Sequence, residues 1–370
     1  MLTRSRRNAA LCLVMAAVLG ACSSTPETTT TTSTASPTTT TSAVTTTGVT
    51  EPSTTTSAPA STTSAPVAEE TIEVLLAPFS EMGPGWTEQV FPYGESEDTL
   101  GTSPGGEGLM FGPEYGTQTP DGSWWFLDAA NLRVAHFDGD GAYLDQVVLP
   151  EDLLVNGQLF QFQLPQALDD GSVVASAFLS EDAMALMRVT EGTASQTPVA
   201  GAIPLQTTDG EHLFGFSLED QLPRALTPGD EVPEVVEFFQ TREGSDYMVR
   251  LVEDQVIVAL PDSGLIRVLQ MRYSEDPTVP VRGTIEVDTG SDGTLFLLLY
   301  GLPESDETLD VGGFVSIAPD GQVSEVQPVT DLFSLSDPGS PAHLGVTPGT
   351  STPWIMVVGE DGVHVHTRSD

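Results

Sequence analysis

Residues 120–141 read PDGSWWFLDAANLRVAHFDGDG, and the reading of this stretch decides the fold. Asp121 and Gly122 form a dipeptide that favours the positive-φ geometry of a tight hairpin. An apolar run follows from Trp124 to Asp128, then a break, a second run from Arg133 to Phe137, and another turn at Asp138–Gly141. The order is turn, strand, turn, strand, turn. Outward from it the texture repeats. Runs at Val173–Phe178, Val256–Leu260, Leu295–Tyr300 and Trp354–Val358 alternate with Asp-Gly pairs at 170–171, 292–293, 320–321 and 361–362. Glu231–Gln240 is the sole candidate for a short helix. Many short strands in series make the body all-β: a sandwich, a barrel or a propeller.

Internal repetition selects the propeller. Residues 256–269, VIVALPDSGLIRVL, repeat the pattern of 120–141 in weaker form. Both copies place an aspartate and an arginine five apart, Asp128 with Arg133 and Asp262 with Arg267. The offset is 134 residues, from Asp128 to Asp262, near three repeats of about 45. Arg188 and Val189 mark a further, irregular copy. Residues 111–150 resemble an NHL-type propeller blade, in which a strand ending in Asp returns through an Arg-Val strand. Residues 250–271 match in part. That resemblance implies a propeller of about six four-stranded blades, with five or seven as the alternatives. Residues 203–245 fit it poorly and read as an insertion, and 82–108 lack blade periodicity. The last 30 residues supply three strands, around Leu344, Trp354–Val358 and Val363–Thr367. The run Thr71–Leu76 is expected to be their fourth, closing the ring and covering its edges.

Ahead of this body lie two segments of another kind. Arg4, Arg6 and Arg7 precede an apolar stretch, Ala9–Ala21, that is too short for a bilayer span and matches a signal h-region. It ends in Leu19, Gly20, Ala21 and Cys22, which resembles the lipobox of bacterial lipoproteins. The resemblance implies acylation of Cys22. Residues 23–69 are almost all Thr, Ser, Pro and Ala, a composition that cannot offset the entropy of ordering. The division is therefore a signal peptide at 1–21, a disordered stalk at 22–69 and a propeller-like domain at 70–370.

Composition removes several functions. The two cysteines, Cys12 and Cys22, both lie in the signal region, so the body has no thiol or disulfide. All 12 basic residues are arginines, and 53 acidic residues oppose them, for a net charge of −41. Such a surface repels phosphate backbones and anionic lipid headgroups. Nucleic acid is excluded as a partner, and a covalent anchor is what would hold the chain to a membrane. No Gly-x-Ser-x-Gly elbow, His-Glu-x-x-His or phosphate-binding loop is present.

The remaining candidates are few. Asp128 with Arg133, and Asp262 with Arg267, either face a channel and bind a polar ligand or tie a hairpin together. His136–Gly141 fails the ligand spacing of a calcium loop and reads as a turn. His364 and His366 share one face of the last strand, where two histidines can begin a metal site, but no third ligand is evident. Trp124 and Trp125 must point to opposite sides of their sheet, one toward a core and the other toward a surface. Trp86 reads as exposed. No catalytic residue and no metal ligand is assigned, and no cofactor is expected, with Ca2+ left open. The expected function is a non-enzymatic binding module, monomeric, lipid-anchored on the outer face of the cell membrane, with an envelope protein or glycan as partner. The alternative is a divalent-metal hydrolase like the lactonases that six-bladed propellers host.

Overall fold

A computed structural model describes residues 68–369, except 105–109, 114, 150–161, 181–182, 191, 202, 218–221, 227–232, 307–308 and 332–342. Cys22 and the stalk lie outside the described residues. The described chain is all-β, with short 3-10 turns such as Ala129–Asn131 and Pro261–Ser263.

The described residues form four separate four-stranded sheets. The first holds Gly116–Gln118, Trp124–Asp128, Arg133–Phe137 and Tyr143–Val148. The second runs from Phe162–Ala167 to Thr193–Ala200 and the third from Leu205–Thr208 to Glu234–Val235. An eight-stranded sheet then covers Phe239–Gln240 through Val311–Ile317, together with strand β1, Ala68–Pro78. The closing sheet orders His343–Val346, Pro353–Val358, Gly362–Arg368 and strand β2, Trp86–Pro92.

Successive side chains of a strand point to opposite faces, and here both faces are buried. Trp125 and Leu127 pack with Val173, Ala175 and Met187 of the second sheet. Val174 and Leu186 of that sheet turn the other way, onto Leu205 and Leu213 of the third. Phe214 continues to Phe239, Tyr247, Leu297 and Leu299 of the eight-stranded sheet. Phe296 and Leu298, from the opposite face, meet Ile355 and Val357 of the closing sheet. Trp354 and Met356 return to Trp124 and Phe126 of the first. The sequence of cores thus closes on itself, and sheets stacked face to face in a closed circle are a β-propeller. Trp124 and Trp125 do point to opposite faces, but each enters a core, at 1% and 4% exposure; neither reaches a surface.

The strand that closes the ring differs from the expected one. β2, not Thr71–Leu76, pairs with the last strand, from Trp86 opposite Arg368 to Pro92 opposite Gly362. Its Phe91 is fully buried, 4.6 Å from the ring of Phe126 and 5.2 Å from that of Phe137. Thr71–Leu76 belongs to β1, which runs parallel to Leu265–Tyr273 and then antiparallel to Val311–Ile317 at Ala77 and Pro78. Val74 and Leu76 alternate into the core there. Trp86 is half-buried, edge-on to Phe314 at 5.2 Å.

Two further expectations change. Residues 203–245 are no insertion: they contain the whole third sheet and begin the eight-stranded one. Within the described part of Glu231–Gln240 there is no helix, but two short strands, Glu234–Val235 and Phe239–Gln240. Pro233 and the β-branched Val235 and Val236 disfavour a helix, and Phe239 is drawn into the core.

Candidate functional site

Several of the turns between strands are built on one plan. In the first sheet the Thr119 N–H donates to the Ser123 carbonyl and the Gly122 N–H to the Thr119 carbonyl. The same two bonds recur at Leu168–Ser172, Thr241–Ser245 and Gly290–Thr294. Gly122, Gly171, Gly244 and Gly293 take φ between 79° and 87°, a region costly for other residues. Neighbouring turns are bonded to each other: the Asp169 N–H donates to the Gly210 carbonyl and the Ser291 N–H to the Thr350 carbonyl, at 2.8 Å each. They gather on one face of the ring.

Along the axis the first strands lie side by side, and little room is left. Glu286 Oε2 and Asp288 Oδ2 accept the backbone N–H groups of Leu344 and Val346, at 2.7 Å each. They satisfy donors at the inner edge of the closing sheet. Burial pushes the Asp288 carboxyl above the usual carboxylate range, although the N–H groups of Thr289 and Val346 act against it. Nearby, His343 is 6% exposed, with Nδ1 3.4 Å from Glu286 Oε2. The cavity among Thr117, Gln166, Arg242, Asp288 and His343 measures about 10 Å³. That is space for one water molecule.

A roomier site opens on the turn face. Between the first and second sheets a groove of about 500 Å³ is lined by Asp121, Trp125, His136, Asp169 and Asp170, with Thr119, Ser123, Ser172 and Thr190 among the others. At its floor the His136 imidazole stacks on Trp125, centroids 4.0 Å apart and planes 16° from parallel. These two residues face each other across adjacent strands, which sets the stack. His136 Nδ1 lies 3.0 Å from Asp145 Oδ1, while Nε2 is shielded from solvent and has no hydrogen-bond partner.

The carboxylates of the groove are fixed. Asp121 Oδ1 accepts from the Thr119 and Ser123 hydroxyls, at 2.8 Å each, and from the Ser123 N–H. Burial pushes its pKa up, but these bonds outweigh burial and hold it below the usual range. Asp170 is lowered first by its bond from the Ser172 hydroxyl, at 2.6 Å, and it also pairs with Arg188. Asp169 pairs with Arg242, whose Nη2 reaches the Ala167 carbonyl at 2.7 Å.

Residues 84–368 match a family described as a domain of unknown function, DUF7485. The chain belongs to that family. Its DUF7485 span includes the whole groove and the closing strand β2, and it begins after β1. No curated protein matches the chain. Among solved structures it resembles a virginiamycin B lyase from Staphylococcus aureus: 10% identity, 77% of this chain and 100% of that chain covered, TM-score 0.41. A Bacteroides caccae protein of unknown function gives 14%, 60%, 82% and 0.36 in the same order. YCF48 bound to D1 peptide gives 15%, 67%, 75% and 0.38. Likenesses at such identities concern the fold alone.

In the DUF7485 domain the two aspartate–arginine pairs occupy different places. Asp128 and Arg133 face each other on the second and third strands of the first sheet, with Oδ2 2.7 Å from Nε and side chains 0% and 4% exposed. Asp128 also accepts the Gly101 N–H, and Arg133 donates to the Glu97 carbonyl at 2.9 Å and to Gln146 Oε1 at 2.6 Å. Asp262 and Arg267 do not meet. Asp262 accepts the Asp246 N–H at 3.1 Å, while Arg267 lies 3.6 Å from Glu70 and donates to the Gly321 carbonyl at 2.8 Å. Neither pair lines the axial cavity or the groove.

His364 and His366 share a face as expected, but His364 is held by Glu88 and Asp361, at 2.8 Å each. Burial works against its charged form, and the two carboxylates outweigh burial, raising its pKa above the ordinary value. Among the described residues no group of three or more His, Cys, Asp or Glu is arranged to hold a metal ion. The groove residues Trp125, His136, Asp169 and Asp170 were not legible as a site. A signal existed in the repeated turn: Thr119, Gly122 and Ser123 recur as Thr241, Gly244 and Ser245, all 122 residues apart.

Proposed function

We propose that this chain is a cell-envelope lipoprotein whose propeller is a non-enzymatic binding module, with its ligand site in the groove between the first and second sheets. Reading the eight-stranded sheet as two blades, at the strand Asp276–Thr289, gives six blades. Acyl chains on Cys22 would hold the protein at the outer face of the membrane, since two or more chains suffice for stable anchoring. No helix among the described residues is long and apolar enough to cross a membrane.

One observation carries the binding reading. The carboxylates that line the groove are fixed in place by hydroxyls, backbone N–H groups or arginines, and those of Asp121 and Asp170 have lowered pKa values. A general acid or base works best with a pKa near the working pH. Groups held well below it are weak proton carriers and good rigid acceptors. The groove volume lies within the range of small-molecule sites, about 300–1,000 Å³.

The test is capture from an envelope fraction by the immobilised full chain and by its Asp170→Asn variant. Retention of an envelope component by the wild type, reduced in the variant, supports the reading. Equal retention by both places binding elsewhere. A Cys22→Ala substitution tests the anchor: the protein is expected in the medium or as unprocessed precursor, and normal membrane retention would overturn the lipoprotein assignment.

A further inference from the structure

Both ring nitrogens of His364 meet carboxylates: Nδ1 lies 2.8 Å from Glu88 Oε1 and Nε2 2.8 Å from Asp361 Oδ1. His136 and His212, by contrast, each reach a carboxylate through Nδ1 at 3.0 Å. A neutral imidazole satisfies a single contact of that kind, because one of its nitrogens is a donor. At His364 a neutral ring would aim a lone pair at one of the two carboxylates. The geometry therefore calls for the imidazolium, which donates from both nitrogens. These residues belong to the seam that closes the ring. Glu88 is on β2, His364 is on the last strand, and Asp361 is in the turn before it. The Asp361 carbonyl also accepts the Tyr93 N–H, just beyond β2, at 3.1 Å. In register Val90 faces His364 and Glu88 faces His366, so the Glu88 contact runs diagonally between the two strands. We propose that His364 is a proton-operated latch on the closing strand. Charged, it ties β2 to the last strand and its turn; neutral, it releases one of the two carboxylates.

The surroundings fit a single proton on this face. His366, beside His364, has Nε2 3.9 Å from Glu88 Oε1. Burial holds His366 below the ordinary histidine value, and the charge on His364 adds to this while Glu88 opposes it. Arg368, next along the same face, lies over the Phe314 ring at 5.7 Å. The Pro353–Val358 strand presents Val357 to His364. The eight-stranded sheet packs this side with Phe296, Leu298, Phe314 and Tyr300, and burial keeps the Tyr300 hydroxyl neutral. Glu88 and Asp361 supply the charges that His364 meets. Burial works against its charged form, and those two bonds outweigh burial and raise its pKa. A histidine raised in this way contributes stability that is complete below about 6.5, the unfolded value, and is lost as pH rises through the folded one. Glu88 and Asp361 are 50% and 76% exposed, so a released carboxylate turns to water. The effect is accordingly local to the seam and screened by salt.

The experiment pairs two measurements on the detergent-solubilised full chain, isotope-labelled at histidine. In an NMR titration the His364 ring, assigned by its loss in His364→Gln, is expected to titrate above about 6.5 and His366 below it. Hydrogen exchange of residues 86–92 is followed at about pH 6 and about pH 8.5, corrected for the intrinsic pH dependence of amide exchange. Protection should fall severalfold, by up to about tenfold, between the two. In His364→Gln the difference should vanish, with protection near that of the wild type at the higher pH. Asp361→Asn, at an exposed position, should bring the His364 titration down toward the ordinary value and shrink the pH difference. His212→Gln, which removes a carboxylate-paired histidine from a turn of the third sheet, should change neither reading. Titration of His364 at or below about 6.5 would overturn the latch, since the imidazolium would then not be the bonded form. Equal protection of 86–92 at both pH values in the wild type would show that His364 has no hold on β2, and would overturn it too. So would a pH difference that survives in His364→Gln.

Discussion

Two hairpins of this chain look alike in sequence and do different work. In one, Asp128 and Arg133 flank the turn Ala129–Asn131; in the other, Asp262 and Arg267 accompany the turn Pro261–Ser263. Both turns end on a residue in the left-handed region, Leu132 at φ 51° and Gly264 at φ 66°. The first joins the second and third strands of its sheet, and the second joins a third strand to a fourth. They therefore sit on opposite faces of the ring. In register, Arg133 faces Asp128, whereas Arg267 faces Val258. The first pair is a buried clamp on residues 97–101; the second is two unrelated contacts, an exposed one at Asp262 and a part-buried one at Arg267. Equal spacing along the chain does not confer equal position when each sheet has three hairpins to choose from.

The contrast can be broken by mutation. The largest effect is expected for Asp128→Ala, which leaves the Arg133 charge buried without its partner and should cost about 3–5 kcal/mol in urea denaturation. Arg133→Met should cost roughly 3 kcal/mol, because Asp128 keeps bonds from Gly101 and Asn131. Arg267→Met loses a neutral acceptor and a distant, largely exposed Glu70, for about 1 kcal/mol. Measured side by side, equal losses for the two arginines would show that the pairs are equivalent after all. Gly264→Leu should cost about 1 kcal/mol through its positive φ, while Leu132→Gly should raise the melting temperature slightly by relieving the same conformation. Asp262→Ala is expected to be the smallest, about 0.5 kcal/mol, since its one backbone bond is solvent-exposed.

Much of the fold was readable because period-2 apolar runs and Asp-Gly turns are local signals. Trp124–Asp128, Leu295–Tyr300 and the three C-terminal strands all form where the pattern puts them. The third sheet was missed because its strands are short, four residues or fewer, and interrupted by Pro204, Pro223 and Pro233. Ring closure was misassigned between two β-prone segments. β1 and β2 both alternate, but only β2 carries an aromatic, Phe91, that fits among Trp124, Phe126 and Phe137 of the neighbouring sheet. That fit is a property of two surfaces far apart in sequence. The groove was illegible for the same reason, since its walls come from residues 119–136 and 169–190.

The sequence alone determined an all-β domain behind a Thr-rich segment, a heavily acidic surface and the aspartate–arginine spacing. Its strands and turns follow from local backbone preferences, which need no knowledge of distant neighbours. Tertiary structure decided which strand closes the ring, which of the two pairs is a salt bridge, and where a ligand has room. Those outcomes depend on register and on which sheet faces meet, quantities fixed only when the whole circle of cores is packed.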